Sequence, residues 1–173
     1  MIKTTLVLFT VIRSRKIEEN ENGDFIVSKK VFTNELNFML LGDWGGWPAP
    51  VYNTPIQLQV ANSMERTAKT WKPEFIYGMG DNFYFWGVDS VTNEMFMKTF
   101  ENIYRSEELQ CDWHFTTGNH DWDDGNGTVQ LEYSEISHRW TYPAFHYAVD
   151  YELADGTTMR LITVDSPMLC GVH

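Results

Sequence analysis

Three apolar runs along the chain end in the same way. Phe38-Met39-Leu40-Leu41 leads into Gly42-Asp43, Phe75-Ile76-Tyr77 into Gly80-Asp81, and Trp113-His114-Phe115 into Gly118-Asn119. Asp81 lies 38 positions after Asp43, and Asn119 lies 38 positions after Asp81. Such intervals suit strand–helix–strand crossovers. Between the first two runs Thr54 is placed to cap a helix, with Pro55 at its first position and Gln57 to close a capping box. Its apolar stripe is Val60, Ala61, Met64, Ala68 and Trp71, which has helical spacing. A second helix is predicted from about Thr92, with Phe96, Phe100, Ile103 and Tyr104 inward, and a short third over 129–136. Further strands are expected over 145–149 and 160–164. Ahead of all these, residues 17–30 are polar and acidic and contain the turn signal Asn22-Gly23, so they read as a loop or exposed hairpin. The apolar run 6–12, followed by Arg13, Arg15 and Lys16, is either a β-branched strand or a short signal-like segment. The chain therefore divides into an N-terminal extension, 1–35, and a domain, 36–173.

Composition narrows the classes. The 173 residues are 43% hydrophobic and 15% aromatic, which excludes a disordered chain. The formal net charge of -11 should repel nucleic acid and anionic membranes. It should equally repel a phosphate ester, unless metal ions reverse the sign locally. No stretch is long enough to span a bilayer. Two cysteines, Cys111 and Cys170, form neither a disulfide framework nor a zinc quartet. They are either buried thiols or one pair.

In an open α/β sheet, ligands gather at the carboxyl ends of the strands. That would bring Asp43, Asp81 and Asn119 together, with Tyr84 close behind Asp81. All four offer oxygen, which suits hard cations. A carboxylate can bridge two metals. A phenol that ionises near pH ~10 needs a strong Lewis acid, such as ferric iron, to bind as phenolate. Two metals ~3.5–4 Å apart can clamp a phosphoryl group and acidify a water. His120, beside Asn119, is placed to touch phosphate or assist a leaving group. Each residue also has a plainer reading. Asp43 and Asp81 can be turn aspartates, Tyr84 part of a hydrophobic plug with Phe83, Phe85 and Trp86, and His120 a loop histidine. His114 reads as a packed or edge strand residue, His138 and His146 as surface or second-sheet residues. Asp165 closes a strand and can lie behind the site.

The ordered series Gly42-Asp43-Trp44-Gly45-Gly46, Gly80-Asp81-Asn82-Phe83-Tyr84-Phe85 and Gly118-Asn119-His120-Asp121 resembles the metallophosphoesterase motifs. The tyrosine three after the second aspartate points to the purple acid phosphatases. Trp86-Gly87-Val88, Arg139-Trp140 and Leu169-Cys170-Gly171 resemble their small tartrate-resistant type. The resemblance implies an α/β fold of two mixed sheets packed face to face and flanked by helices. It implies that Asp43 and Tyr84 bind Fe(III), that Asp81 bridges, and that Asn119 holds a second divalent metal, Fe, Zn or Mn. His120 would contact the phosphate of a small-molecule or protein phosphomonoester, hydrolysed at acid pH by direct attack of a metal-bound hydroxide. The family supplies three more metal-binding histidines from motifs beyond His173, so the domain is expected to be partial. The rival expectation is accordingly a phosphatase-like chain without turnover. Family members often carry a second histidine where this chain has Trp122. Asn126-Gly127-Thr128 is a glycosylation pattern, and its place resembles a glycosylated loop of the family. A secreted or lysosomal protein would follow.

Overall fold

The computed structural model describes residues 16–21, 23, 25–123 and 126–171. The apolar run 6–12 and Asn22 of the expected turn lie outside them. Two four-stranded sheets pack face to face. The first has β1 (Lys16–Glu19), β2 (Phe25–Lys30), β7 (His146–Glu152) and β8 (Thr158–Val164), in that order. The second has β3 (Phe38–Leu41), β4 (Phe75–Met79), β5 (Asp112–Thr116) and the two-residue β6 (Trp140–Thr141). All pairings in the second sheet are parallel. Parallel neighbours require crossovers, and the 38-residue spacing of the motifs leaves room for them. The expected α/β architecture of two sheets with flanking helices is therefore present.

Residues 16–30 are the hairpin allowed by the sequence, but they are not set apart from the domain. Strand β2 pairs in parallel with β7 over six residues, and its Val27 is fully buried. The alternation that hides Val27 and exposes Ser28 and Lys30 places one face of β2 on the core.

The sheets are joined by aromatic rings with polar tips. Tyr151 of β7 stacks on Phe75 of β4 at 4.9 Å and meets His114 Nε2 of β5 through its hydroxyl at 2.6 Å. The Tyr147 hydroxyl accepts from the Phe115 N–H at 3.0 Å. Each tyrosine thus buries its ring while its hydroxyl keeps a partner. On the other face of the second sheet, Trp44 lies within 6.5 Å of the rings of Phe83, Phe100, Tyr104, Trp113, Phe115 and Trp140.

Helix α1 (Pro55–Trp71) begins as its sequence dictates, with the Thr54 side chain accepting from the Gln57 N–H at 3.1 Å. The box is only half closed, because the Gln57 amide donates instead to the Thr99 carbonyl at 3.0 Å. A buried carbonyl without a partner would cost more than an exposed helix N–H left to water. The expected stripe also differs. Ala61 and Ala68 are buried, but Val60 and Trp71 are not, and with Met39 and Leu40 they line an open apolar groove beside β3. The second expected helix is a π-helical turn, Phe96–Glu101, in which the Asn102 N–H reaches the Met97 carbonyl at 2.9 Å. Its wider winding still turns Phe96 and Phe100 into the core. The third is α2 (Gly127–Glu132), continued by a 3-10 turn, and the chain closes with α3 (Ser166–Leu169). Cys111 is buried and Cys170 exposed, and both are free thiols. Among the described residues no helix is long and apolar enough to cross a membrane.

Arg139 is 1% exposed and binds Glu101 through Nε at 3.0 Å and Nη2 at 2.8 Å. Its Nη1 donates to the Tyr104 carbonyl at 2.5 Å, and its guanidinium lies over the Phe100 ring. It therefore locks the π-helical turn to the start of β6. Removing one partner of such a buried pair leaves the other charge uncompensated. Arg139→Leu should lower the free energy of unfolding by about 3 kcal/mol, measured in denaturant titrations. A loss under about 1 kcal/mol would contradict this role.

Candidate metal centre

The first three strands of the second sheet end together. Register pairs Leu41 with Gly78 and Met79 with Thr116, so the loops that follow them share one edge. The Asp43 N–H donates to the Gly80 carbonyl at 3.2 Å, tying the first loop to the second. Asp43 and Asp81 both adopt left-handed backbone conformations, with φ of 52° and 48°. Non-glycine residues pay for this conformation, aspartate less than most, and such outliers cluster at functional sites. Gly118 is required by proximity, since a Cβ there would collide with the Asp81 backbone N and Oδ1.

The Tyr84 hydroxyl lies 2.5 Å from Asp43 Oδ1 and 3.1 Å from Asp81 Oδ2. One phenol, with a single proton, is thus shared between two carboxylates. Burial, together with both carboxylates, pushes its pKa well above the usual value. Asn119 lines the same cavity as Asp43 and Asp81, an opening of about 380 Å³ that Cys170 also borders. The His120 N–H donates to Asp81 Oδ1 at 3.1 Å, and its ring lies 4.7 Å from that of Tyr84. Its Nδ1 is 2.8 Å from the Phe85 carbonyl. A carbonyl only accepts, so Nδ1 carries the proton and Nε2 is left for a ligand. Asp123 Oδ2 stands 3.3 Å from the same Nδ1. The structure therefore brings together all five residues singled out from sequence.

These residues suit a hard cation. Three oxygens of Asp43, Asp81 and Tyr84 converge within hydrogen-bonding distance, and among the described residues no lysine or arginine is paired with either carboxylate. Two adjacent carboxylates without a counter-charge repel each other and favour a bound cation. The fit is weaker for a second ion, whose expected donors here are Asp81 and Asn119. Among the described residues no group of three His, Cys, Asp or Glu could hold a metal.

Sequence reading passed over what holds the loops. Asp121 is fully buried, and its carboxylate accepts N–H bonds from Asn82 at 3.0 Å, Phe83 at 3.0 Å and Gly118 at 2.9 Å. Gln130 adds a fourth at 2.9 Å. Burial pushes the Asp121 carboxyl up to about 6, against the pull of these donors. Asn82, also fully buried, accepts from Trp44 Nε1 and donates to the Thr116 carbonyl and Gln130. Their signal was a polar residue inside each motif, flanked by glycine and aromatic residues. Asp165 does lie behind the site. Its carboxylate binds Thr117, next to Gly118, and accepts from the Tyr142 hydroxyl at 2.6 Å.

No protein-family model matches the chain. Curated relatives do. Tartrate-resistant acid phosphatase type 5 of Mus musculus is 36% identical over 141 residues, which is 80% of this chain and 43% of that protein. Its Homo sapiens counterpart is 34% identical over the same length, and purple acid phosphatase 4 of Arabidopsis thaliana is 35% identical over 124 residues. The chain is homologous to the purple acid phosphatases. It spans less than half the length of these relatives, 43% for the mouse protein and 34% for the Arabidopsis one. Among solved structures, one described as "GAP50 the anchor in the inner membrane complex of Plasmodium" superimposes with a TM-score of 0.63. It is 24% identical and covers 78% of this chain and 43% of that one, which shows the shared fold.

Gly118→Ala tests the close approach of the loops. The added methyl would meet both the Asp81 carboxylate and its backbone N, so the Asp81 side chain cannot simply swing away. We expect a loss of about 1–3 kcal/mol in denaturant unfolding, as for overpacking elsewhere, together with weakened metal uptake in equilibrium dialysis. An unchanged unfolding midpoint would show that the loops are not so tightly joined.

Proposed function

We propose that this chain carries the Asp43, Asp81, Tyr84 and Asn119 side of a two-metal acid phosphatase acting on phosphate monoesters. The observation that carries the reading is the Tyr84 hydroxyl shared between Asp43 and Asp81, with the His120 ring tilted against the Tyr84 ring at 4.7 Å. Homology to purple acid phosphatases supports it.

Asp43, Asp81 and Tyr84 would hold Fe(III), and Asp81 with Asn119 a divalent partner, Fe, Zn or Mn. Bound ions would neutralise the substrate's charge and supply a water acidic enough to attack phosphorus. The protein's own groups do the rest. Tyr84, whose hydroxyl lies between the Asp43 and Asp81 carboxylates, would have to give up its proton to water to act as a ligand. His120 presents Nε2 to the phosphate, held by its Nδ1 bond to the Phe85 carbonyl. In the imidazolium form that nitrogen donates, which stabilises a developing charge on the leaving oxygen.

A second reading is metal binding without turnover. It is favoured by the sparse donor set for the second ion, Asp81 and Asn119, among the described residues.

Two experiments decide between and against these readings. With iron bound, Tyr84→Phe should abolish visible absorption while leaving the far-ultraviolet dichroism intact, and Asp81→Ala should lose both metals together. A surviving band, or full metal content in the Asp81 variant, refutes the ligand assignment. Residues 1–173 supplied with iron and zinc should hydrolyse a chromogenic phosphomonoester, and Asn119→Ala should lower kcat by at least about a hundredfold, the scale of one lost electrostatic contact. Rates equal in both proteins would favour the reading without turnover.

A further inference from the structure

The turn that carries Asn119 and His120 is wound as a 3-10 helix, Asn119–Asp121, and the Trp122 N–H closes it on the Asn119 carbonyl at 3.1 Å. In that winding, side chains three positions apart eclipse one another. Asp123 is three positions after His120, and its Oδ2 accordingly stands 3.3 Å from His120 Nδ1. Trp122, between them, is occupied elsewhere. Its indole fills the space over Gly127, packs against Phe145 and donates from Nε1 to Thr117 Oγ1 at 2.8 Å. Among the described residues Asp123 forms no other ion pair.

We propose that Asp123 is a positioning residue for His120: its carboxylate keeps the imidazole proton on Nδ1 and the ring in the rotamer that leaves Nε2 for the ligand. The inference rests on the phosphatase reading above for what Nε2 does, and deepens it by naming what holds the ring. The Nδ1 atom has two oxygens beside it, the Phe85 carbonyl at 2.8 Å and the Asp123 carboxylate. Moving the proton to Nε2 would leave a bare lone pair facing two groups that only accept, one of them charged. The partner of one ring nitrogen thus sets what the other presents. Turning the ring over, which the broad terminal torsion of histidine otherwise permits, would take Nδ1 away from both oxygens. The two contacts are also independent. Phe85 follows Tyr84 in the loop after β4, whereas Asp123 shares the loop after β5 with His120. A shift of the Tyr84 loop on taking up an ion would loosen the first contact and spare the second.

The test begins with nitrogen-15 spectra of metal-free residues 1–173 at mildly alkaline pH, where an imidazole is neutral, with His120→Gln to assign the signal. The proton should sit on Nδ1. Asp123→Ala should shift the tautomer ratio toward Nε2 by about threefold, the scale of a partly exposed charged contact. Asp123→Asn, whose amide oxygen still accepts, should restore most of the Nδ1 form. Both variants should keep the far-ultraviolet dichroism of the unsubstituted chain, because Asp123 is 46% exposed. With iron and zinc bound, Asp123→Ala should lower kcat on a chromogenic phosphomonoester by about threefold and leave KM unchanged, as expected when an interaction is used in the transition state. An unchanged tautomer ratio in Asp123→Ala would overturn the proposal, since the Phe85 carbonyl alone would then suffice. So would an unchanged kcat where the unsubstituted chain turns over. If the ratio shifts but the unsubstituted chain does not hydrolyse the ester, Asp123 still positions His120, and the reading without turnover is favoured.

Discussion

The site depends on one buried carboxylate that need touch neither metal nor substrate. Asp121 gathers backbone N–H groups from the loop after β4 and from the loop after β5, and it is itself held by Gln130 of α2. A charge taken fully out of water is costly unless its hydrogen bonds are complete. Here they nearly are, and the donors are main-chain groups whose positions the fold sets. The same bonds that keep Asp121 tolerable hold Asp81 against Gly118 and fix where His120 begins. Polar satisfaction and site geometry are one arrangement.

Around that anchor the candidate centre is electrostatically unfinished. Asp43 and Asp81 share a single phenol proton, and the described residues supply no cation to balance them. In a chain already at -11, a cation bound here would lower the energy of the folded protein. The aromatic surroundings strengthen the effect. Trp44, Phe83 and Phe115 beneath the loops keep the local dielectric low, which increases the attraction for a cation and the penalty for its absence.

Much of this was legible in the sequence. The Gly-Asp and Gly-Asn endings of three apolar runs gave the parallel strands and the shared edge, because strand direction and crossover length leave few alternatives. Thr54 and Pro55 marked the start of α1. Other features were hidden. The π-helical turn at Phe96 keeps an inward aromatic stripe, so its period passes for that of an α-helix. The stripe on α1 predicted burial for Trp71, but burial depends on what lies opposite, and α1 faces an open groove at that end. Strand β2 was read as polar loop or hairpin because Ser28, Lys29 and Lys30 outweigh Val27, although one inward valine is enough to seat it beside β7. Asp121 and Asn82 escaped notice because side chains that bind backbone leave no periodic trace.

The left-handed backbone at Asp43 and Asp81 has a bearing on how such a chain could change over generations. Glycine would relieve the torsional cost at either position, so exchanging either candidate ligand for glycine would offset the loss of its side-chain bonds in the metal-free protein. Selection for solubility or yield alone would then erode the centre, and only a requirement for the bound ion would keep the aspartates. A collection of variants enriched purely for abundance should drift toward small residues at these two positions, and one enriched for metal loading should not.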